Sequence, residues 1–97
     1  MKTYKGDITI TETNFEEWKE KLKGIKKITG YLSINSQANL KAPLLKSVGG
    51  NLYIDFQANL KAPLLKSVGG YFYINSQANF PLLKSVGGNL YIDFQAN

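Results

Sequence analysis

Tyrosine and aspartate are the chemically capable side chains that recur at fixed spacing in this chain. The segment YIDFQAN occupies 53–59 and again 91–97, so Tyr53 and Asp55 have counterparts in Tyr91 and Asp93. A tyrosine offers an aromatic face and a hydroxyl, whereas an aspartate offers a carboxylate that can accept hydrogen bonds or exchange a proton. The chain has no histidine and no cysteine, which removes the usual general base and thiolate chemistry.

The repeated aspartates do not predict a catalytic pair. Asp55 and Asp93 stand two copies apart, which corresponds to ~9.6 Å if neighbouring strands are ~4.8 Å apart. Inverting glycosidases place their carboxyls ~6.5–9.5 Å apart, but equivalent repeat positions have no reason to differ as acid and base. Two aspartates do not supply the oxygens of a calcium site, and the GG pairs lack a phosphate-loop lysine. We therefore expect no enzyme activity, no catalytic residue, no metal ligand and no cofactor.

The tyrosines instead predict a binding face. On neighbouring strands they would stack as a ladder, which either stiffens the sheet by cross-strand packing or presents rigid interface anchors. The ligand of such a face would be a protein, or alternatively a carbohydrate that lies on the tyrosine platform. The residues expected on this face are Tyr31, Tyr53, Asp55, Tyr71, Tyr73, Tyr91 and Asp93.

A repeated phrase of about twenty residues must position these side chains, and such a period is typical of repeat architectures. It reads GGNLYIDFQANLKAPLLKSV over 49–68, recurs from Thr29, Gly69 and Gly87, and is incomplete at 97. The L-x-I alternation has strand spacing, and the prolines of the return segment disfavour helix. We expect one short parallel strand in each copy, followed by a mostly extended return.

Two further columns of the repeat predict its corners. The second glycine of each copy indicates either positive φ or close approach of neighbouring backbones. The asparagines Asn39, Asn59, Asn79 and Asn97 are expected to point inward and bind corner backbone, with exposed polar contacts as the alternative. The alternation of INSQ with IDFQ indicates duplication of a two-copy block. The third copy lacks the Lys-Ala pair before its proline, and a deletion of this kind favours a loop.

Residues 1–29 are predicted to form a divergent first coil with an N-terminal capping helix over about 14–23. Ile8 and Ile10 match the strand positions, and IKKITG over 25–30 matches LKSVGG. Thr13-x-x-Glu16 and Asn14-x-x-Glu17 have capping-box spacing. The apolar face of this helix would comprise Phe15, Trp18, Leu22 and Ile25. We interpret Trp18 as a cover for the core, with a ligand contact as the alternative.

With SVGGNLYI and LKSVGGYFYI in view, residues 6–97 resemble leucine-rich-repeat solenoids. The pattern is most similar to the L-domain variety of receptor ectodomains and some cell-wall proteins, and to repetitive bacterial proteins. The resemblance implies a right-handed β-solenoid that is mostly β with one N-terminal capping helix. The resemblance also implies a surface for binding. The length of the chain and the alignment of its copies predict one structural domain, with the divergent first coil over 1–29 and the repeats over 30–97.

The last copy contains its strand but not its return, which predicts an uncovered apolar end and an end-to-end homodimer, or further copies beyond it. The residues expected at this end are Leu90, Tyr91, Ile92 and Phe94. The leading hypothesis is therefore a non-catalytic protein-binding or self-assembly module. The alternative is a carbohydrate-binding surface protein that uses the tyrosine ladder.

Charge and hydropathy limit the partners. The net charge of +5 comes from twelve lysines without arginine, a mild and scattered excess that argues against sequence-specific nucleic-acid binding. No run reaches the ~18 apolar residues of a membrane span, and the first ten residues lack a signal-peptide core. We expect no membrane insertion. A cytoplasmic location is expected for the chain as written, with a surface location if it is a fragment.

Overall fold

A computed structural model describes residues 2–35, 39–55, 58–74 and 80–92, and these residues are mostly β with one short helix. Helix α1 spans Phe15–Lys21 and continues into a 3-10 turn at Leu22–Gly24. The strands are β1 Lys2–Tyr4, β2 Ile8–Ile10, β3 Ile25–Ile28, β4 Leu32–Ile34, β5 Asn39–Lys41, β6 Ser47–Val48, β7 Leu52–Ile54, β8 Asn59–Lys61, β9 Ser67–Val68, β10 Phe72–Ile74, β11 Ser85–Val86 and β12 Leu90–Ile92.

The strands form three parallel sheets in which equivalent repeat positions lie side by side. The LYI sheet has the order β12-β10-β7-β4-β2, the SV sheet β1-β3-β6-β9-β11, and the NLK sheet β5-β8. In the LYI sheet, Leu32 pairs with Leu52, which pairs with Phe72. The predicted parallel pairing of the L-x-I segments is therefore confirmed.

The return segment contains more structure than the expected extended chain. In the copies beginning at Thr29 and Gly49 it forms two further strands, one in the NLK sheet and one in the SV sheet. Its N–H groups find carbonyl partners in the next copy, since Ala42 donates to the Lys61 carbonyl at 2.8 Å. The pair missing from the third copy corresponds to Lys61 and the buried Ala62, so the deletion falls on a strand end rather than on an open loop.

One apolar core collects the inward residues of all three sheets. Leu52 and Ile54 are completely buried and Leu60 is 2% exposed, as their positions in the repeat predict. Each LYI strand alternates buried and less buried residues because successive side chains point to opposite faces. The core of the described residues comprises Ile8, Ile10, Leu22, Ile25, Ile28, Leu32, Ile34, Leu40, Ala42, Leu45, Val48, Leu52, Ile54, Ala58, Leu60, Ala62, Leu65, Val68, Phe72 and Ile74.

The second glycine of each copy is required by close approach of backbones. Gly50 N–H donates to the Gly30 carbonyl and Gly70 N–H to the Gly50 carbonyl, each at 2.9 Å. A Cβ on Gly50 would lie 3.0 Å from the Gly30 carbonyl carbon, which is tighter than ordinary packing allows. Positive φ occurs at Gly6 among the described residues, at 121°. These glycines are therefore explained by the close approach of neighbouring backbones and not by positive φ.

The predicted inward asparagine ladder is wrong where the structure describes it. Asn39 and Asn59 are exposed, whereas their neighbours Leu40 and Leu60 are buried. The reason is that both asparagines lie in strands, where adjacent side chains must face opposite sides and leucine takes the inward one. Asn79 and Asn97 lie outside the described residues.

The first segment of the chain pairs with the repeats and contains one strand more than expected. Ile8 pairs with Leu32 in the LYI sheet, and Ile28 pairs with Val48 in the SV sheet. Strand β1 extends the SV sheet by pairing with β3. The signal for β1 was present in the sequence, because KTYKG over 2–6 is a divergent form of KSVGG over 46–50.

Helix α1 lies close to its predicted position, but its start differs from a capping box. The Asn14 side chain makes no cap hydrogen bond to α1. It accepts from Thr11 N–H at 2.7 Å and donates to the Thr9 carbonyl at 3.0 Å, in the preceding turn. Half-buried Trp18 packs against the core, with the Tyr4 ring edge-on at 5.5 Å. Its interpretation as a cover for the core is therefore confirmed.

Candidate functional site

The predicted binding face is the outer side of the LYI sheet. Tyr31 is 39% exposed and Tyr71 is 47% exposed, whereas Tyr53, Tyr73 and Asp55 are half-buried. The face is ordered because strand pairing places Tyr53 beside Tyr73, and Tyr73 beside Tyr91 at the backbone. Asp93 lies outside the described residues.

Tyr53 and Tyr73 form the rigid part of this face. Their rings are stacked, with centroids 5.0 Å apart and planes inclined by 16°. Burial, followed by the Asp55 carboxylate and the Tyr73 hydroxyl, raises the pKa of Tyr53 above its ordinary value. The Tyr53 hydroxyl therefore keeps its proton to higher pH than a free tyrosine does.

A depression of about 550 Å³ lies beside the stacked rings. Thr9, Ser33, Tyr53 and Tyr73 occupy the same position on four neighbouring strands of the LYI sheet. The depression exists because the small side chains of Thr9 and Ser33 leave open the space that a tyrosine ring would fill. The repeat pattern of the sequence did not predict this concavity. The lining residues are Thr9, Tyr31, Leu32, Ser33, Asn35, Asn51, Tyr53 and Tyr71.

Hydrogen bonds organise the polar groups of the depression. Thr9 Oγ1 lies 3.3 Å from the Tyr31 hydroxyl, and Ser33 Oγ donates to Asn35 Oδ1 at 3.2 Å. The floor and rim thus combine hydroxyl and amide groups with tyrosine faces. Such a mixture can hold an apolar surface by stacking and a polar edge by hydrogen bonds.

Tyr31 and Tyr71, each directly before a strand of the LYI sheet, are held through their backbones. Tyr31 N–H donates to Asp7 Oδ1 and Tyr71 N–H to Asn51 Oδ1, each at 3.0 Å. Asp7 and Asn51 alternate with Tyr31 and Tyr71 at one position of the repeat, so that a polar side chain in one copy binds the backbone of the tyrosine in the next. The contact also explains Gly70, where a Cβ would overlap the Asn51 side-chain oxygen.

Some predicted face residues lie outside the depression. Tyr73 stacks behind Tyr53 and does not line it, and neither does Asp55. The structure therefore brings Tyr31, Tyr53 and Tyr71 together around one space. The polar lining residues Thr9, Ser33, Asn35 and Asn51 belong to the same site and were not among the predicted site residues.

The predicted self-association end is apolar and exposed where it is described. Leu90 is 48% exposed, whereas Leu52, at the equivalent position, is completely buried. Val86 is half-buried, whereas its equivalent Val68 is 1% exposed. Strand β12 lies at the edge of the LYI sheet. Tyr91 and Ile92 are described only through their backbones, which belong to this strand, and Phe94 lies outside the described residues.

A second concavity, of about 390 Å³, lies beside α1 and contains Trp18, Tyr4 and Lys21 among its lining residues. Lys21 Nζ is 5.1 Å from the Trp18 ring centroid and 2.6 Å from Glu17 Oε2. These groups are engaged with one another, so that the concavity is part of the packing of α1.

Within 2–35, 39–55, 58–74 and 80–92, no group of three metal-ligating side chains could hold an ion, and no helix could cross a bilayer. Comparison of the chain with protein-family models, with curated proteins and with solved structures finds no match.

Proposed function

We propose that the chain is a right-handed leucine-rich-repeat, L-domain-like solenoid that acts as a non-catalytic binding and self-assembly module. Support for the solenoid comes from the repeated order of LYI, NLK and SV strands and from the in-register pairing of consecutive copies. A right-handed path is the strong preference for crossover connections between parallel strands. A stack of this kind derives its stability from contacts between neighbouring copies.

The binding face is the outer side of the LYI sheet, and the tyrosine-walled depression carries this proposal. Tyr31, Tyr53 and Tyr71 converge on one space, and the stacked Tyr53 and Tyr73 rings give it a rigid wall. Rigid aromatic anchors around a concavity favour binding because little side-chain entropy is lost. The ligand is a protein segment that inserts one protruding side chain between the tyrosines.

Replacement of Ser33 by tyrosine tests this site. The variant continues the Tyr53–Tyr73 column into the depression, so that it fills the space and leaves the other wall residues in place. A random peptide display library would be selected on the wild type and then counter-selected on Ser33→Tyr. Peptides that bind the wild type and not the variant are expected. Enrichment of the same peptides on both proteins would exclude the depression as the binding site.

A carbohydrate is the second candidate, favoured by the chemistry of the lining. The tyrosine rings can stack on the apolar face of a sugar ring, while Asn35, Asn51 and Ser33 can bind its hydroxyls. A glycan array with the wild type, Tyr53→Ala, Tyr73→Ala and Ser33→Tyr separates the two candidates. Glycan binding that all three variants lose supports the carbohydrate. An array without any bound glycan rejects it and retains the protein ligand.

Self-association through the β12 end completes the proposal. Support comes from the exposure of Leu90 and Val86 relative to their buried equivalents and from the edge position of β12. Exposed edge strands tend to pair, and a two-fold contact between two such ends gives a closed dimer. Light scattering over a concentration series should show a dimer for the wild type and a monomer for Leu90→Glu. Ser33→Glu, on the strand face, is the control that should remain dimeric, and a monomeric wild type would refute self-association.

A further inference from the structure

The turn between the NLK and SV sheets has a repeated apolar tip. Ala42 and Leu45 are buried, and Leu45 N–H donates to the Ala42 carbonyl at 3.2 Å, which leaves Pro43 and Leu44 at the tip. Proline suits this position because its φ is already that of the turn. The same turn recurs at 62–65, where Leu65 N–H donates to the Ala62 carbonyl at 3.1 Å.

Neighbouring tips form a continuous row because the segments that flank them are hydrogen-bonded. Lys66 N–H donates to the Lys46 carbonyl, and Lys84 N–H donates to the Lys66 carbonyl, each at 2.8 Å. The prolines of the row are exposed, Leu44 and Leu64 are half-buried, and Leu82 is 39% exposed. We name this row the turn ridge, and it comprises Pro43, Leu44, Pro63, Leu64, Pro81 and Leu82.

Exposed lysines border the turn ridge on both sides. Lys41 and Lys61 are paired in register on the NLK side. On the SV side the lysines form a column whose backbones are hydrogen-bonded from one copy to the next, made up of Lys26, Lys46, Lys66 and Lys84. Adjacent strands are ~4.8 Å apart, so like charges are held close together. Six of the twelve lysines of the chain therefore lie beside one edge of the fold.

The segments that carry the turn ridge contain no acidic residue. None of the seven acids of the chain lies between 40 and 48, between 60 and 68 or between 80 and 86. The ion pairs found in the described parts of the chain join Lys21 to Glu17 and Lys23 to Glu20, both on the α1 segment. A negatively charged partner would relieve the repulsion between the aligned lysines.

We propose that the turn ridge docks on the surface of an anionic lipid bilayer. The proline and leucine tips would enter the headgroup layer, while the lysines on either side would bind acidic headgroups. Mobile headgroups can follow any spacing of charges, which suits flexible lysines without the fixed fork of arginine. A single-stranded nucleic acid fits less well because the turn ridge offers no aromatic side chain for base stacking.

Flotation with lipid vesicles tests this inference independently of the tyrosine face. The wild type should bind vesicles of phosphatidylcholine mixed with an equal amount of phosphatidylserine, should not bind phosphatidylcholine alone, and should dissociate at high salt. Lys46→Gln combined with Lys66→Gln should weaken partition roughly 25-fold, at roughly fivefold per lysine. Both lysines are exposed, so the fold should persist, and circular dichroism would confirm this.

A matched control and a competing ligand complete the test. Lys5→Gln combined with Lys19→Gln lowers the formal charge equally but leaves the turn ridge unchanged, so partition should fall less than threefold. Leu82→Ser should weaken binding to the mixed vesicles because it removes an apolar tip. Equal losses in the two double variants would overturn the inference. So would a failure to bind the mixed vesicles, or lysine-dependent binding to immobilised alginate or single-stranded DNA without vesicle binding.

Discussion

The side-chain oxygen of Asn51 accepts a hydrogen bond from the backbone N–H of Tyr71, 3.0 Å away and one copy further along the LYI sheet. Asp7 makes the same contact with Tyr31. These contacts link one copy to the next and hold the two exposed tyrosines that wall the depression. The relationship connects the internal order of the repeat directly to its candidate binding site.

Replacement of Asn51 by alanine should destabilise the fold by about 1 kcal/mol, because Tyr71 N–H loses its acceptor in a partly exposed position. Asn51→Asp should remain close to the wild type, since an aspartate already performs this role at position 7. Urea denaturation monitored by circular dichroism would measure both. An equal loss in the two variants would show that packing rather than the hydrogen bond matters at this position.

Replacement of Gly69 by alanine should destabilise the fold by more than ~2 kcal/mol, because the new Cβ would overlap the Gly49 carbonyl oxygen. Gly24→Ala is the matched control, since nothing lies within 4 Å of its Cβ position. The control should stay within ~1 kcal/mol of the wild type. Thermal unfolding of the two variants compares them directly, and similar melting temperatures would contradict close approach as the reason for the glycine.

Leu52 and Leu90 occupy the same repeat position in different surroundings, which allows a paired truncation. Leu52→Ala should cost ~2–5 kcal/mol because it opens a cavity in a completely buried site. Leu90→Ala should cost much less in the monomer, since that side chain is 48% exposed. Chemical denaturation at low protein concentration measures the difference. Equal costs would mean that Leu90 is covered in solution.

The raised pKa of Tyr53 predicts a loss of stability in alkali. The folded state holds the Tyr53 phenol proton more tightly than the unfolded chain does. The stabilisation that Tyr53 contributes is therefore fully present below its ordinary pKa of 10.0 and is lost as pH rises through the pKa of the folded state. The free energy of unfolding, measured over this alkaline range, should fall more steeply for the wild type than for Tyr53→Phe. Identical slopes would show that Tyr53 does not contribute.

The repeated sequence determined the pairing partners and most of the core. Leu52 and Ile54 recur with strand spacing, so identical copies can bury them only by aligning in register. The same periodicity indicated which face Tyr31 and Tyr71 would share. These features follow from the chain because side-chain alternation and repetition are local properties.

Other features depended on contacts between copies. The return segment became two strands because its backbone groups met partners in the next copy, and this turned Asn39 and Asn59 outward. The spacing of Asn14 and Glu17 predicts a helix cap at Asn14, yet the Asn14 side chain binds the preceding turn instead. Local spacing could not decide these cases, since each side chain had two possible backbone partners.

The sequence by itself determined that a short repeat would build parallel strands around a leucine and isoleucine core. Only the tertiary structure decided which polar residues share a surface. The depression exists because Ser33 pairs with Tyr53 on the neighbouring strand. The row of lysines on the SV side exists because the backbones of Lys46 and Lys66, twenty residues apart along the chain, are hydrogen-bonded to each other. The physical reason is that hydrogen bonding between copies sets which side chains become neighbours, and these side chains are far apart along the chain.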